Sequence, residues 1–212
     1  GCASSNTAIS TISVNSRPTI TVNNPSICAG NSAVISPSAT GVNVFNISGG
    51  NFTVNPTSNS SYSVTATGTN GCASTNTAIS NVVVNSLPVI SVNDGTICSG
   101  QTFTINASGA NTYTYSSGSN TVTPTSNTTY SITGTSSQGC VSSNTAMSSI
   151  VVNPSPTLSV NNGTICSGQN FTITATGADT YTYSGGSNIV SPINNTIYQV
   201  TGTSSLGCAA SN

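Results

Sequence analysis

The seven cysteines are the most reactive side chains of this sequence, and they recur at regular intervals. Four of them follow a glycine and recur every 68–70 residues: Cys2, Cys72, Cys140 and Cys208. The other three lie in an Ile-Cys-x-Gly motif with the same period: Cys28, Cys98 and Cys166. Zinc sites usually combine cysteines about two to four residues apart or add histidine, and this chain has neither arrangement. The pattern predicts disulfide bonds, an oxidising compartment and no metal or cofactor.

Two aspartates are the only acids, and each stands where another repeat carries asparagine. Asp94 takes the place of Asn24 and Asn162, and Asp179 takes the place of Asn111. Asn and Asp interchange in turns because both side chains cap nearby backbone groups. A calcium cage gathers several carboxylates, which no repeat offers. With no histidine, no phosphate-binding loop and no clustered acids, the sequence predicts that the chain is not an enzyme.

Threonine and tyrosine recur at every second position and offer a candidate binding surface. Thr-x-Thr triplets occupy residues 102–104, 112–114 and 172–174, and paired tyrosines occupy Tyr113/Tyr115 and Tyr181/Tyr183. A flat threonine array could bind ice or a crystalline glycan, and paired tyrosines could stack on sugar rings. The same alternation suits outward threonines and core-facing tyrosines in ordinary strands. Repeat-equivalent Phe45 and Ile47 favour packing, and a glycan- or ice-binding surface stays as the alternative function.

Eight asparagines stand in Asn-x-Ser/Thr sequons, which permit glycosylation. They are Asn46, Asn51, Asn59, Asn106, Asn127, Asn162, Asn170 and Asn194. In a chain this rich in asparagine, serine and threonine, composition alone produces many such triplets. We therefore treat the eight as candidate modification sites.

The near absence of charge excludes several classes of partner. Charged residues make up 1% of the 212-residue chain, and Arg17 is its one basic residue. Nucleic-acid binding and polybasic membrane contacts both rely on clustered Lys and Arg. No apolar run approaches the ~18 residues of a membrane span. The sequence predicts no nucleic-acid partner and no direct membrane insertion; without a signal peptide, we expect a mature or internal segment.

A repeat of 68–70 residues organises the whole chain. Proline-containing linkers divide it into residues 18–85, 88–153 and 156–212, named here repeats 1, 2 and 3. Residues 1–15 match the final strand of a preceding repeat, and we expect the last strand of repeat 3 to be truncated. We interpret the chain as a segment of a longer array.

Alternating apolar residues within each repeat predict short β-strands and no helix. In repeat 2 the first strand is predicted at 89–93 and the second at 102–107, and the last carries Ala146, Ser148 and Ile150 on one face. Six or seven such strands in ~68 residues are typical of a small immunoglobulin-like sandwich. The predicted fold class is all-β, a tandem array of small immunoglobulin-like β-sandwich domains with one disulfide per repeat.

Two disulfide schemes respect the repeat. Bonds within repeats would be Cys28–Cys72, Cys98–Cys140 and Cys166–Cys208, and bonds across a linker would be Cys72–Cys98 and Cys140–Cys166. The segment from Cys72 to Cys98 could span about 80 Å, whereas bonded Cα atoms lie within about 7 Å. Cys98 is expected to open the second strand and Cys140 to lie in the last hairpin turn, both at one end of the sandwich. We therefore predict the bonds within repeats, with Cys2 bonded to an upstream repeat.

The motifs of one repeat carry a family resemblance. They read Ile-Cys-Ser-Gly-Gln, Phe-Thr-Ile, Tyr-Thr-Tyr-Ser, then proline with Tyr-Ser-Ile-Thr-Gly-Thr and Gly-Cys. This pattern covers the whole chain and resembles the tandem immunoglobulin-like (PKD-like) repeats of very large secreted surface proteins in the Bacteroidota. The resemblance implies an extracellular location at the cell surface and a role as adhesin stalk, sheath or filament. The expected partners are neighbouring repeats, other copies of the same protein in a filament, and a surface glycan.

Overall fold

The computed structural model describes residues 1–2 and 6–210, and every regular element in that range is a β-strand. The described residues form two compact units, Gly1–Leu87 with Gln138–Cys140, and Pro88–Ser137 with Val141–Asn212. The first unit contains repeat 1, and the second contains repeats 2 and 3 apart from one hairpin turn. The limits of the three sequence repeats themselves remain a prediction.

Repeat 1 contains eight short strands. They are β1 (Thr21–Val22), β2 (Ser26–Cys28), β3 (Ala33–Val34), β4 (Pro37–Ser38), β5 (Val42–Ile47), β6 (Thr53–Val54), β7 (Ser60–Gly68) and β8 (Ala78–Asn85).

Repeat 2 has the same eight elements. They are β9 (Ser91–Val92), β10 (Gly95–Cys98), β11 (Phe103–Thr104), β12 (Ala107–Ser108), β13 (Thr112–Tyr115), β14 (Thr121–Val122), β15 (Thr128–Thr135) and β16 (Ala146–Asn153).

Repeat 3 has six strands among its described residues. They are β17 (Ser159–Val160), β18 (Phe171–Thr172), β19 (Ala175–Thr176), β20 (Thr180–Tyr183), β21 (Ile189–Val190) and β22 (Val200–Thr203). Residues 163–166, which correspond to β10, form no strand, and the sequence ends before the residues that would correspond to β16.

Each complete repeat is built from two layers. In repeat 2 the larger layer has the order β10-β16-β15-β13, in which β15 is antiparallel to both neighbours and β10 runs parallel to β16. The smaller layer pairs β9 with β12 and β11 with β14. Repeat 1 has the same arrangement, with β2-β8-β7-β5 opposite β1-β4 and β3-β6. The all-β class and the immunoglobulin-like sandwich repeats predicted from the sequence are confirmed.

Branched aliphatic side chains fill the space between the layers. The buried cluster of repeat 2 consists of Ile90, Ile105, Val122, Ile132, Ala146 and Ile150, and that of repeat 1 of Ile20, Ala33, Ile35, Val64, Ala66, Ala78 and Val82. Along β16 buried and exposed residues alternate, as the predicted period of two requires. The larger layer therefore depends on the last strand of each repeat for much of its core.

Uncharged polar side chains satisfy the backbone where the ladders break. Between β11 and β12, Asn93 accepts a hydrogen bond from the Asn106 N–H (2.6 Å) and donates one to the Thr104 carbonyl (3.2 Å). The fully buried Ser148 hydroxyl donates to the Asn93 carbonyl at 2.7 Å. Among the described residues no buried side-chain nitrogen or oxygen lacks a partner. Amide and hydroxyl side chains therefore supply hydrogen bonds that charged side chains supply in many other proteins.

The Gly-Cys motif marks the hairpin turn that precedes the last strand. Gly139 has a φ of 79°, and the equivalent Gly71 and Gly207 both have 80°. This left-handed conformation is strained for residues with a Cβ, which explains the glycine. The following cysteine is thereby placed at the tip of the turn.

The core of repeat 2 supplies a stability prediction. Ile150 is 2% exposed, whereas its neighbour Val151 is 48% exposed on the opposite face of β16. Ile150→Ala should lower the free energy of unfolding by about 2–5 kcal/mol because it leaves a cavity. Val151→Ala should change it by less than about 0.5 kcal/mol. Urea unfolding followed by circular dichroism measures both, and equal losses in the two variants would contradict the assigned faces.

Candidate functional site

The strand β10 determines where one cysteine of repeat 2 lies. Residues Gly95–Cys98 run parallel to β16, and Cys98 pairs in register with Asn153, the last residue of β16. Cys140 lies in the turn before β16 begins. The eight-residue β16 is about 25 Å long, so Cys98 and Cys140 lie at opposite ends of the sandwich.

The disulfides join cysteines that belong to consecutive repeats. Cys28 is bonded to Cys140 and Cys98 to Cys208, each with a Cα–Cα distance of 5.5 Å. The sequence separations are 112 and 110 residues. In both bonds the Ile-Cys-x-Gly cysteine of one repeat meets the Gly-Cys cysteine of the next.

The predicted bonds Cys28–Cys72, Cys98–Cys140 and Cys166–Cys208 are therefore wrong, and neither bond of the cross-linker scheme is formed. The prediction treated the Ile-Cys-x-Gly cysteine as the start of the second strand. It overlooked β10 and the turn at residues 99–100 that follows it. The extra strand reverses the chain once more, which moves this cysteine to the other end of the sandwich.

The end of β16 shows why this pairing is favourable in the second unit. Cys208 is fully buried in its hairpin turn, and its Sγ lies 3.8 Å from the Asn153 carbonyl oxygen. Asn153 is also the register partner of Cys98. Asn153, the last residue of repeat 2, thus lies beside both of the cysteines that form the Cys98–Cys208 bond.

Three cysteines carry no disulfide in the described structure. Cys2 and Cys166 are exposed, and Cys72 is partly exposed. Cys72 has the same position in the repeat as Cys140 and Cys208, and Cys166 has the position of Cys28 and Cys98. The bond from Cys2 to an upstream repeat remains a prediction.

An open groove marks repeat 3. It encloses about 210 Å³ and is lined by Val160, Ile165, Phe171, Ile173, Val190 and Tyr198. In repeat 2 the corresponding space is filled by β16, whose Ile150 and Ser148 are almost completely buried. Val200 is partly exposed in repeat 3, although the equivalent Ile132 is completely buried. Apolar side chains that repeats 1 and 2 cover with a last strand are therefore accessible here.

The segment before Arg17 is a strand sequence without a sheet. Residues 8–15 form no strand and pair with no other described strand. Ile9, Ile12 and Val14 are 88%, 83% and 90% exposed. Their counterparts in repeat 1 are residues of β8, where the equivalent of Ile12, Val82, is 1% exposed.

The paired tyrosines, for which sugar stacking was the alternative, pack against the core as the repeat pattern predicts. Tyr113 and Tyr115 are partly buried and pack against the cluster of repeat 2, with ring centroids 6.5 Å apart. The Tyr113 hydroxyl donates to the Ala110 carbonyl (2.9 Å) and accepts from the Ala110 N–H (3.1 Å). In repeat 3, Tyr181 makes the same pair of bonds with Ala178. These rings are committed to packing, as the repeat-equivalent Phe45 suggested.

Threonines line the outer face of the same strands. In repeat 2 Thr112 pairs with Thr135 and Thr114 with Thr133 across β13 and β15. In repeat 3 Thr180 pairs with Thr203 and Thr182 with Thr201 across β20 and β22. Repeats 2 and 3 therefore each present a two-by-two array of threonines, whereas repeat 1 pairs Val44 with Thr67 and Asn46 with Thr65 at these positions.

Both aspartates act as caps of backbone groups, as predicted for turn residues. Asp94 accepts a hydrogen bond from the Ser149 N–H at 2.7 Å, and Asp179 accepts one from the Ser205 N–H at 2.6 Å. In repeat 1, Asn24 takes the place of Asp94 and accepts from the Asn81 N–H at 2.8 Å. At this position of the repeat, a carboxylate and an amide thus accept the same backbone hydrogen bond.

The remaining predicted sites can be placed on the surface. All eight sequon asparagines, from Asn46 to Asn194, are exposed, and their glycosylation remains a prediction. Within residues 1–2 and 6–210, no three metal-ligating side chains cluster. No helix in the same range has the length and hydropathy to cross a bilayer.

Comparisons with known proteins give likeness only to solved structures. No family model and no curated protein matches the chain. An I-band fragment of titin is 10% identical with a TM-score of 0.43, over 80% of this chain and 79% of that chain. A Ca²⁺-stabilized adhesin with which an Antarctic bacterium binds ice is 15% identical with a TM-score of 0.40, over 92% and 72%. Likeness at this level carries no conclusion about function.

The disulfide pattern is directly testable by peptide mapping without reduction. Because the chain has one basic residue, chymotrypsin is the suitable protease, and it cleaves beside the seven tyrosines and four phenylalanines. We expect residues 1–45 to be linked to residues 131–171, and residues 63–103 to residues 199–212, with fragmentation of each pair placing the bonds at Cys28–Cys140 and Cys98–Cys208. Cys2, Cys72 and Cys166 should be alkylated without prior reduction. Peptides that link Cys98 to Cys140 would restore the scheme within repeats and contradict the placement of β10.

Proposed function

We propose that this chain is a structural segment of an extracellular cell-surface filament, sheath or adhesin stalk, in which the repeats set reach and stiffness. The observation that carries the proposal is the pair of disulfides that join consecutive repeats. A bond within one domain stabilises that domain alone, whereas a bond to the next repeat also resists separation and bending at the linker. Such bonds suit a part whose task is to transmit force.

The linker between repeats 2 and 3 illustrates the effect within the second unit. Pro154 and Pro156 restrict its backbone, and the Cys98–Cys208 bond lies beside Asn153, the residue that precedes the linker. A hinge with a covalent bond across it has little freedom to bend. Neighbouring repeats are thus the first partners of each repeat, and stability is expected to be nearly additive along the array.

The disulfides and the family resemblance both support an extracellular location. Disulfides persist in oxidising surroundings, which favours an extracellular position over the cytosol. The resemblance to PKD-like repeats of Bacteroidota surface proteins supports a position at the cell surface. Four of the seven cysteines form disulfides and both aspartates cap backbone groups, which supports a role other than catalysis. A surface glycan and other copies of the protein are the proposed external partners.

The threonine arrays support a second candidate function, binding of ice or a crystalline glycan. Strands lie about 4.8 Å apart and alternate residues about 6.7 Å apart, so the four threonines of repeat 2 form a small regular lattice. If this face binds, Thr114→Tyr should abolish the activity because the ring blocks the lattice. An ice-recrystallisation assay and a glycan array measure the two kinds of binding, with Ser149→Tyr as the control variant. Absence of activity in the unchanged chain removes this candidate.

Force spectroscopy tests the structural role. With both disulfides intact, the shortest covalent path between the ends uses residues 1–28, 98–140 and 208–212. At about 3.5 Å per residue the oxidised chain should stop extending near 260 Å, whereas the reduced chain should reach about 740 Å.

The double variant Cys98→Ser with Cys208→Ser provides the matched comparison. It keeps the Cys28–Cys140 bond and should reach a length between those two limits. Oxidised and reduced chains of equal extensible length would show that the disulfides do not limit extension, and the stalk proposal would fail.

A further inference from the structure

The hairpin turn before the last strand of repeat 1 differs from the equivalent turns of repeats 2 and 3 at two positions. Gly68 stands where both other repeats carry serine, and Asn70 stands where they carry glutamine and leucine. The second difference creates the pair Asn70–Gly71. Asparagine is among the thermally labile residues of proteins. A following glycine adds to that lability, because no Cβ hinders the approach of the backbone nitrogen to the asparagine side chain.

The Asn70 side chain folds back over the turn, and Gly68 leaves the space that it needs. Asn70 Oδ1 accepts a hydrogen bond from the Cys72 N–H at 3.1 Å. A Cβ on Gly68 would lie 2.8 Å from that oxygen, which is too close for two atoms that are not bonded. In repeat 3, the Cys208 N–H donates to the hydroxyl of Ser204, the counterpart of Gly68, at 3.2 Å. The folded-back carboxamide therefore depends on the combination of Gly68 and Asn70.

This conformation brings together the atoms of an intramolecular reaction. Because Oδ1 is bonded two residues along the chain, the carboxamide carbon Cγ of Asn70 is folded towards the intervening nitrogen, that of Gly71. Holding two reacting groups together replaces their encounter in solution. Attack of the nitrogen on Cγ places negative charge on Oδ1, where the Cys72 N–H already donates. Asn70 is exposed, so that water reaches the site.

We propose that Asn70 and Gly71 form a self-modification site, at which the folded chain converts Asn70 to aspartate and isoaspartate. The inference goes beyond the proposed function, because it concerns a covalent change within one repeat. The Gly71 N–H donates to the Gly68 carbonyl at 2.9 Å, and the reaction proceeds when this bond opens.

The reaction consumes one water molecule and releases ammonia. Hydroxide removes the proton from the Gly71 nitrogen, which forms a bond to Asn70 Cγ. The bond from Cγ to Nδ2 breaks, and ammonia leaves with a proton from water, so that a cyclic succinimide remains. Water opens this ring and gives aspartate when the new bond to Cγ breaks, or isoaspartate when the bond to the backbone carbonyl carbon breaks. Nothing is oxidised or reduced.

The conversion removes a contact between the turn and the linker that precedes repeat 1. Asn70 Nδ2 donates to the Ser16 carbonyl at 2.8 Å, and an ionised carboxylate has no proton to donate there. Isoaspartate also lengthens the backbone by a methylene group just before Cys72. The equivalent cysteines, Cys140 and Cys208, form the bonds between repeats. The change thus affects the turn by which a repeat is joined to its neighbour.

Incubation of the oxidised full chain at about pH 9 tests the proposal. After reduction, chymotrypsin releases residues 63–103, whose gain of about 1 Da measures the conversion and whose fragmentation locates it at Asn70. The other Asn-Gly pair, Asn162–Gly163, lies in residues 131–171 and is read separately. We expect isoaspartate at position 70, which isoaspartyl methyltransferase labels. No gain at Asn70, or aspartate without isoaspartate, overturns the proposal.

The dependence on pH tests the role of the Gly71 nitrogen. Because hydroxide must remove its proton before the attack, the rate should rise roughly tenfold for each unit between about pH 7 and about pH 9. Asn70→Gln copies the residue of repeat 2, whose longer side chain closes a ring less easily, and should give no product at position 70. A rate that is independent of pH, or an equal gain in the Asn70→Gln chain, contradicts attack by Gly71 on Asn70.

One substitution, compared in two settings, separates the effect of the fold from that of the dipeptide. Gly68→Ser installs the residue of repeats 2 and 3, which displaces the Asn70 carboxamide, and should slow the conversion at least roughly fivefold in the folded chain. In a synthetic peptide of residues 65–75 it should change the rate by less than about twofold, since so short a hairpin is not stable in water. Equal rates in the two folded chains overturn the positioning by Gly68.

Hydrogen exchange measures the effect on the linker. The Thr75 N–H donates to the Pro18 carbonyl at 2.8 Å and reports whether the linker stays on the turn. Anion exchange separates the modified chain, whose net charge of −1 becomes more negative. Exchange at Thr75 should be at least roughly threefold faster in that chain. The equivalent bond of repeat 2, from Ser143 to Pro88 at 3.0 Å, is the control and should be unchanged. Equal exchange at Thr75 in both chains contradicts the release of the linker.

Discussion

The parallel pairing of β10 with β16 is the interaction on which the arrangement of this chain depends. It sets the Ile-Cys-x-Gly cysteine beside the last residue of the repeat, Asn153. The Gly-Cys turn of the next repeat brings the second cysteine to the same residue, within 3.8 Å of its carbonyl. The position of the disulfide, and with it the covalent continuity between repeats, follows from the direction of one four-residue strand.

Side-chain amides and hydroxyls hold the short strands in place. Most strands of the smaller layer are two residues long, so ladder bonds alone leave many backbone groups without partners. Asn93 and Asn127 supply the missing acceptors and donors in repeat 2, and their equivalents do so in repeat 1. This explains why so many asparagines recur at fixed positions. They are part of the fold rather than a solvating surface alone.

Much of the fold could be predicted from the sequence, because its signals are local. The alternation of apolar and polar residues predicts β13 and β16. The presence of Asp94 where other repeats have asparagine predicts a turn residue that caps the backbone. The strand β10 could not be predicted in this way, because Ile97 is its one branched aliphatic residue and its partner strand is more than fifty residues away. The disulfide error followed from that omission, because one missed reversal exchanges the two ends of a sandwich.

The replacement of charges by amides in these caps has a consequence for the conditions the protein can tolerate. Protons and dissolved salts act on folded proteins largely through ion pairs and net charge. With three charged side chains in 212 residues, there is little for either to act on. An array of such repeats should keep its shape from brackish to saline water and through moderate acidification, conditions that weaken proteins held together by surface ion pairs.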